Sequence, residues 1–213
     1  MEELRALGLS TVPVTVVGDN VVIGYRPNDL SRALALGRAP HPRGLDETTV
    51  LLQRALEALG RVVRDMPPDR LEWQAPGRSR PMRELTYHIF VMARSTIAET
   101  ETGESPYALL MSRKTDYHSF GEIWEFGAGV TEEYRAWVGR QDLQDSKHRL
   151  VKGYDNRTTE ERIDWLTGHT VHHLRQLYWV LGQFGVEPTD ALRDEQIPKE
   201  YILPLLGPGG SLF

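Results

Sequence analysis

Between Thr158 and Gly185 the chain carries the signals of one long helix, and histidines stand inside its apolar face. Thr158 and Glu161 have the spacing of a capping box, Glu160 adds negative charge to the first turn, and Gly185 then Pro188 mark the far end. Leu166, His169, His173, Leu177, Val180 and Phe184 recur at three- and four-residue intervals, which predicts a single buried stripe. Within it, "GHTVHHLRQLYW" (Gly168 to Trp179) places three of the chain's seven histidines in five residues. A face of this kind cannot be buried by one helix, so partner helices are required.

Three further segments supply partners. From Asp46, read as an N-cap, Leu52, Ala55, Leu56, Leu59, Val63 and Met66 keep a helical period up to Pro67-Pro68. A second segment begins near Ser79 with Pro81 in its first turn, and aligns Met82, Leu85, His88, Ile89, Met92 and Thr96. A third, about Ser119 to Val138, carries Phe120, Ile123, Trp124, Tyr134, Trp137 and Val138, with Gly127 and Gly129 weakening its middle. Four stripes of this width predict a mainly α protein, a four-helix bundle over residues 45–193. The Arg140–Arg157 connection is too long for tight up-and-down loops.

Ahead of the bundle, residues 1–37 offer two β-branched runs, Val12 to Val17 and Val21 to Ile23, split by Gly18-Asp19-Asn20, then a short helix opened by Pro27. Such a ββα appendage is too small to fold alone. The "GRAPHPRG" stretch makes residues 38–44 a linker, and residues 194–213, ending "PLLGPGGSLF", read as an irregular tail.

Composition narrows the chemistry. The chain is 40 % hydrophobic and 26 % charged, the balance of a globular protein with a real core. A net charge of −5 and a pI near 5.8 provide no basic field, which argues against nucleic acid as a partner. No apolar run approaches a membrane span, and "MEELRALGLS" lacks the features of a secretory signal, so a cytoplasmic protein is expected. The absence of cysteine excludes disulfides, thiolate zinc sites and a cysteine nucleophile. Any metal must rest on nitrogen and oxygen.

Residues four apart on a helix lie about 40° apart around the axis and about 6 Å along it, so His169 and His173 can aim at one point. His172 is turned about 100° from His173, toward Trp165 and Trp179, which suits a flanking role. A third ligand has to come from a facing helix, and His88 is the candidate. The alternative is an interhelical hydrogen-bond network with no ion. Glu84, Glu160 and Asp164 read as solvated or capping carboxylates. Tyr87, Trp165, Tyr178 and Trp179 suit either a pocket lining or packing. His41, His118 and His148 fall in polar surroundings outside the site.

"HTVHHLRQL" resembles the H-x-x-H-H-R-G-Q-L type segment of the DinB/YfiT-like metal-binding bundle family, and "PMRELTYHIFVMA" resembles that family's second helix with its single ligand histidine. "LEWQAPGRSRPMREL" and "LYWVLGQFGVEP" extend the match over about Leu45 to Asp190. The resemblance implies a four-helix bundle whose His88, His169 and His173 hold a divalent metal, zinc or nickel before iron, with open positions for water or substrate. The common R-G-Q reads Leu174-Arg175-Gln176 here, so Gln176 keeps its place while the arginine after the histidine pair does not. His172, Gln176, Tyr87 and Trp165 are the expected surroundings.

By the same resemblance, the function is metal-dependent chemistry on a small molecule, a thiol-dependent transfer or related reaction in which the metal activates a low-molecular-weight thiol. A non-catalytic metal-binding or stress-associated module, and a metal-free interaction protein, are the alternatives. "GLSTVPVTVVGDNVVIGYRPNDLSRAL" resembles the C-terminal half of a glutaredoxin-like thioredoxin fold through Thr11-Val12-Pro13, Gly24 and Pro27 to Leu34. The cysteine-bearing half is missing, which rules out redox catalysis of that kind. Two strands and a helix without partner strands leave an unpaired edge, so the fragment is expected to dock on the bundle or to complete a sheet with its copy in a homodimer, the alternative being a partly ordered remnant of a lost or truncated domain.

Overall fold

The computed structural model describes residues 14–23, 27–36, 43–76, 80–103, 116–145 and 157–202. The chain forms two compact units, Met1–Pro42 and Arg43–Phe213. Thr11-Val12-Pro13, Gly24, His41, Ser79, His148, the linker up to residue 42 and the tail from residue 203 lie outside the described residues, as does most of the Arg140–Arg157 connection.

In the first unit, β1 (Val14–Val17) and β2 (Asn20–Ile23) pair antiparallel, with Val14 opposite Ile23 and Val17 opposite Asn20. The β-branched runs favour extended backbone, and Gly18 takes the positive φ of 58° that a two-residue hairpin turn requires. Helix α1 (Pro27–Ala33) follows. Val22 is buried, whereas the cross-strand pair Val16 and Val21 is 52 % and 43 % exposed. The hairpin and short helix agree with the expected ββα piece.

The second unit is a four-helix bundle built from α2 (Leu45–Asp65), α3 (Met82–Thr102), α4 (Phe120–Val138) and, after the short α5 (Gln141–Asp145), α6 (Thr159–Gln183). Helix α2 packs against α4 and α6, and α3 packs against the same two, so the consecutive helices α2 and α3 stand diagonally. That arrangement places α3 beside α6, the two helices that carry the stripe histidines. Leu52, Leu56, Leu59, Ile89, Phe90, Ile123, Tyr134, Ile163, Leu166, Leu174 and Leu177 fill the fully buried centre.

Helix boundaries follow local chemistry. The Thr158 hydroxyl accepts from the Glu161 N–H while the Glu161 carboxylate accepts from the Thr158 N–H, the expected capping box. Ser119 caps α4 through the Glu122 N–H. Two starts differ from the sequence reading. Helix α2 is preceded by Gly44, and Asp46 lies inside its first turn, where its carboxylate accepts from Gln144 at 2.6 Å. Helix α3 begins at Met82, with Pro81 as an extended N-cap. The cause is tertiary: the N–H groups of Met82 and Arg83 donate to the carbonyls of Trp73 and Leu71, each at 2.9 Å, so the preceding loop satisfies the helix end. Arg83 clasps Glu72 beside that contact.

The bundle also continues past Arg193. Ile197 and Tyr201 are buried, Arg175 pairs with Asp194 at 2.9 Å, and Tyr201 hydrogen-bonds to Asp164, so residues 194–202, the start of the stretch read as an irregular tail, pack on the bundle. Among the described residues, no helix is long and apolar enough to cross a membrane.

Candidate metal centre

His88 comes from α3, and His169 and His173 come from successive turns of α6. One ring nitrogen from each can be chosen so that all three lie within 4.8 Å of one another. Ring centroids are 4.5 Å apart for His169 and His173, 5.5 Å for His88 and His169, and 6.0 Å for His88 and His173, with the planes steeply inclined. Rings converging edge to face around one point present lone pairs to a common centre, and this is the geometry of a three-nitrogen ligand set. Among the described residues no fourth histidine, aspartate or glutamate joins them.

Each of the three residues is half-buried, so the cluster is neither sealed in the core nor spread on the surface. Burial holds the imidazoles neutral. The His88 pKa falls to about 3, first through desolvation and then through His173 and Arg80. That of His173 falls to about 4, again through desolvation, with His172 and Arg80 adding to the drop and Gln176 opposing it. His169 is displaced in the same direction by burial and by its histidine neighbours and Arg162. Neutral imidazole is the form that ligates.

The surroundings sort the remaining candidates. The Gln176 amide oxygen lies 2.7 Å from His173 Nδ1, and its nitrogen lies 2.9 Å from His172 Nε2. An amide oxygen can only accept, so His173 carries its proton on Nδ1 and its Nε2 keeps the lone pair. Trp165 stacks on His169 at 5.1 Å with the planes 27° apart. His172 is thus joined to the ligand set through Gln176. Tyr87, in contrast, is buried against Phe126 of α4 at 5.1 Å and Tyr117 at 5.5 Å, away from the histidines. Consecutive helical residues point about 100° apart, so a neighbour of His88 faces a different helix.

Tyr178 accepts the Leu192 N–H at 2.8 Å, and Asp164 is bound to Tyr201; both serve packing. His118 is exposed, and its N–H donates to Glu122. Glu99, Arg162 and Arg80 stand outside the apolar stripes read from the sequence. The signal for the first two was present, since each continues the histidine face of its helix by whole turns.

The site fits a metal on two observations. Its donors are three neutral nitrogens, and His169 Nδ1 is buried without a hydrogen-bond partner among the described residues. A buried polar atom left unmatched is costly, and a bound ion or ordered water relieves that cost. The histidines do not line either of two surface concavities, of about 410 Å³ at Arg43, Val50 and Pro198 and about 340 Å³ at Arg64, Met66 and His118. Donor chemistry, and not cavity size, marks the site.

Fold and donor set together define a helical bundle whose facing helices carry a histidine triad that could hold a metal ion. The family model of the DinB superfamily matches residues 51–177, more than half of the chain, and the protein belongs to that superfamily. No curated protein matches the chain.

Proposed function

We propose that this protein uses a divalent ion, zinc or nickel, held by His88, His169 and His173, to carry out chemistry on a small molecule with a low-molecular-weight thiol as co-substrate. The observation that supports this reading best is the convergence of three neutral imidazoles from two helices at a half-buried position, with no fourth ligand among the described residues. Structural zinc is normally closed by four protein ligands, whereas three ligands keep a position for water or substrate. A divalent ion in such a shell makes a coordinated water or thiol acidic enough to be a nucleophile near pH 7.

The chain's own groups prepare the site. Burial keeps the donors deprotonated at neutral pH, and Gln176 holds the His173 tautomer that presents Nε2. Trp165 walls the side of His169. Three neutral ligands leave the ion's positive charge undiminished, which carboxylate ligands would not. The sequence contains no cysteine, so a sulfur nucleophile has to arrive from solution.

Elemental analysis of protein purified without a nickel column is the test. Stoichiometric metal is expected in the wild type and its loss in His169→Ala; equal metal in both would defeat the assignment. Presented with a panel of small thiols and an electrophilic acceptor, the loaded protein is expected to consume thiol. Inertness across the panel would favour a non-catalytic ion.

A further inference from the structure

A second buried polar contact joins the helices that carry the triad. The side chains of Glu99 on α3 and Arg162 on α6 are 2 % and 8 % exposed, and Arg162 Nη2 donates to Glu99 Oε2 at 2.6 Å. Eleven residues separate His88 from Glu99 on α3, and eleven separate Arg162 from His173 on α6. Eleven residues make about three turns, a rise of about 16.5 Å with a net rotation of only about 20°. In this antiparallel pair the ion pair therefore lies on the same facing stripes as His88 and His173, three turns away. The two contacts demand one register: a one-residue slip of α6 would shift it by about 1.5 Å and turn its stripe by about 100°.

A second link runs along α6. The Arg162 guanidinium carbon sits 4.8 Å from the centre of the Trp165 ring, and Trp165 in turn lies on His169. Residues 162, 165, 169 and 173 succeed one another at three- and four-residue steps, so each side chain rests on the next. A buried ion pair is a weak source of net stability, because desolvation offsets its attraction, and fixing register is its best-attested use.

We infer that Glu99 and Arg162 form a positioning pair for the histidine centre, setting the α3/α6 register at which His88 meets His169 and His173, while Arg162 braces the His169 ring through Trp165. This rests on the metal reading of the triad. The pair touches no substrate; it acts through the ligands.

Cobalt(II) titration of the metal-free protein, followed by visible absorption and paired with thermal unfolding, separates positioning from plain stability. The wild type is expected to give a saturable ligand-field spectrum. The Glu99→Met/Arg162→Met variant, which replaces the pair by apolar groups, is expected to fold with stability equal to or above the wild type. It should nonetheless bind cobalt about tenfold more weakly, with a displaced absorption band.

A folded double variant with wild-type affinity and spectrum overturns the inference. If that variant does not fold, Arg162→Lys decides, since lysine keeps the cation and loses the planar fork. Weaker binding with an altered band is then expected, and wild-type behaviour overturns the inference. A wild type that takes up no cobalt overturns the metal reading itself, a different result from intact binding in the variants.

Discussion

The Gln176 side chain has one acceptor and one donor group, so its two contacts assign protons to two imidazoles at once. Its oxygen accepts a hydrogen bond from His173 Nδ1–H, and its NH2 group faces His172 Nε2. Gln176→Leu removes both contacts and leaves His173 free to choose its tautomer. Metal affinity is expected to fall about 10- to 100-fold, measured by calorimetric titration. Gln176→Glu supplies an acceptor for His173 Nδ1 and is expected to retain tight binding; equal losses in the two variants would show that the proton assignment does not matter. Which histidines could ligate one ion was legible from their spacing on apolar stripes, because a four-residue step superimposes side chains on any helix. Tyr87 was not, because its neighbour on the other side became known only with the packing of α4.

The middle of α4 shows two glycines with opposite reasons to exist. A Cβ at Gly127 would lie 2.3 Å from Cζ of Phe90, whose ring is fully buried, so the helix needs glycine there to let α3 approach. Gly129 is exposed, with nothing within 4 Å of such a carbon. Gly127→Ala is expected to destabilise by about 1–3 kcal/mol through overpacking. Gly129→Ala is expected to stabilise by about 0.5–1 kcal/mol through helix propensity. Urea unfolding of both variants checks the pair, and the same sign for both would contradict this account. Both glycines read alike as weak points in a helical pattern; only the facing ring distinguishes them. The reverse holds for α6, whose capping box and closing Gly185, with φ of 70°, are local devices written within a few residues.

Across the whole molecule, three imidazoles that resist protonation tie stability to pH. Their folded pKa values lie below the usual 6.5, so below that pH the unfolded chain binds protons that the folded one does not. The stability they contribute is fully present above pH 6.5 and is lost as pH falls toward about 4 for His173 and about 3 for His88. Each imidazole contributes a slope of about 1.4 kcal/mol per pH unit within its window. Thermal melts between pH 7.5 and 5 are expected to show a flat region and then a decline. His173→Leu should reduce the slope, and an unchanged slope would remove the triad as its source. The ββα unit enters at this scale too, since its exposed Val16 and Val21 form one apolar cross-strand pair.

What the amino-acid order determined alone was periodic and local: four amphipathic helices, the capping box and closing glycine of α6, the hairpin, and a histidine on each of two α6 turns plus one on α3. Those features depend on spacings of a few residues, over which backbone geometry is nearly invariant. Tertiary structure decided which helices became neighbours, with α2 and α3 diagonal and α3 beside α6. It also decided that Pro81 would stay outside α3, that residues 194–202 would pack on the bundle, and that Glu99 would meet Arg162. Each of these joins residues far apart in the chain, and such pairings arise from the shape and burial of facing surfaces, which no short window of sequence contains.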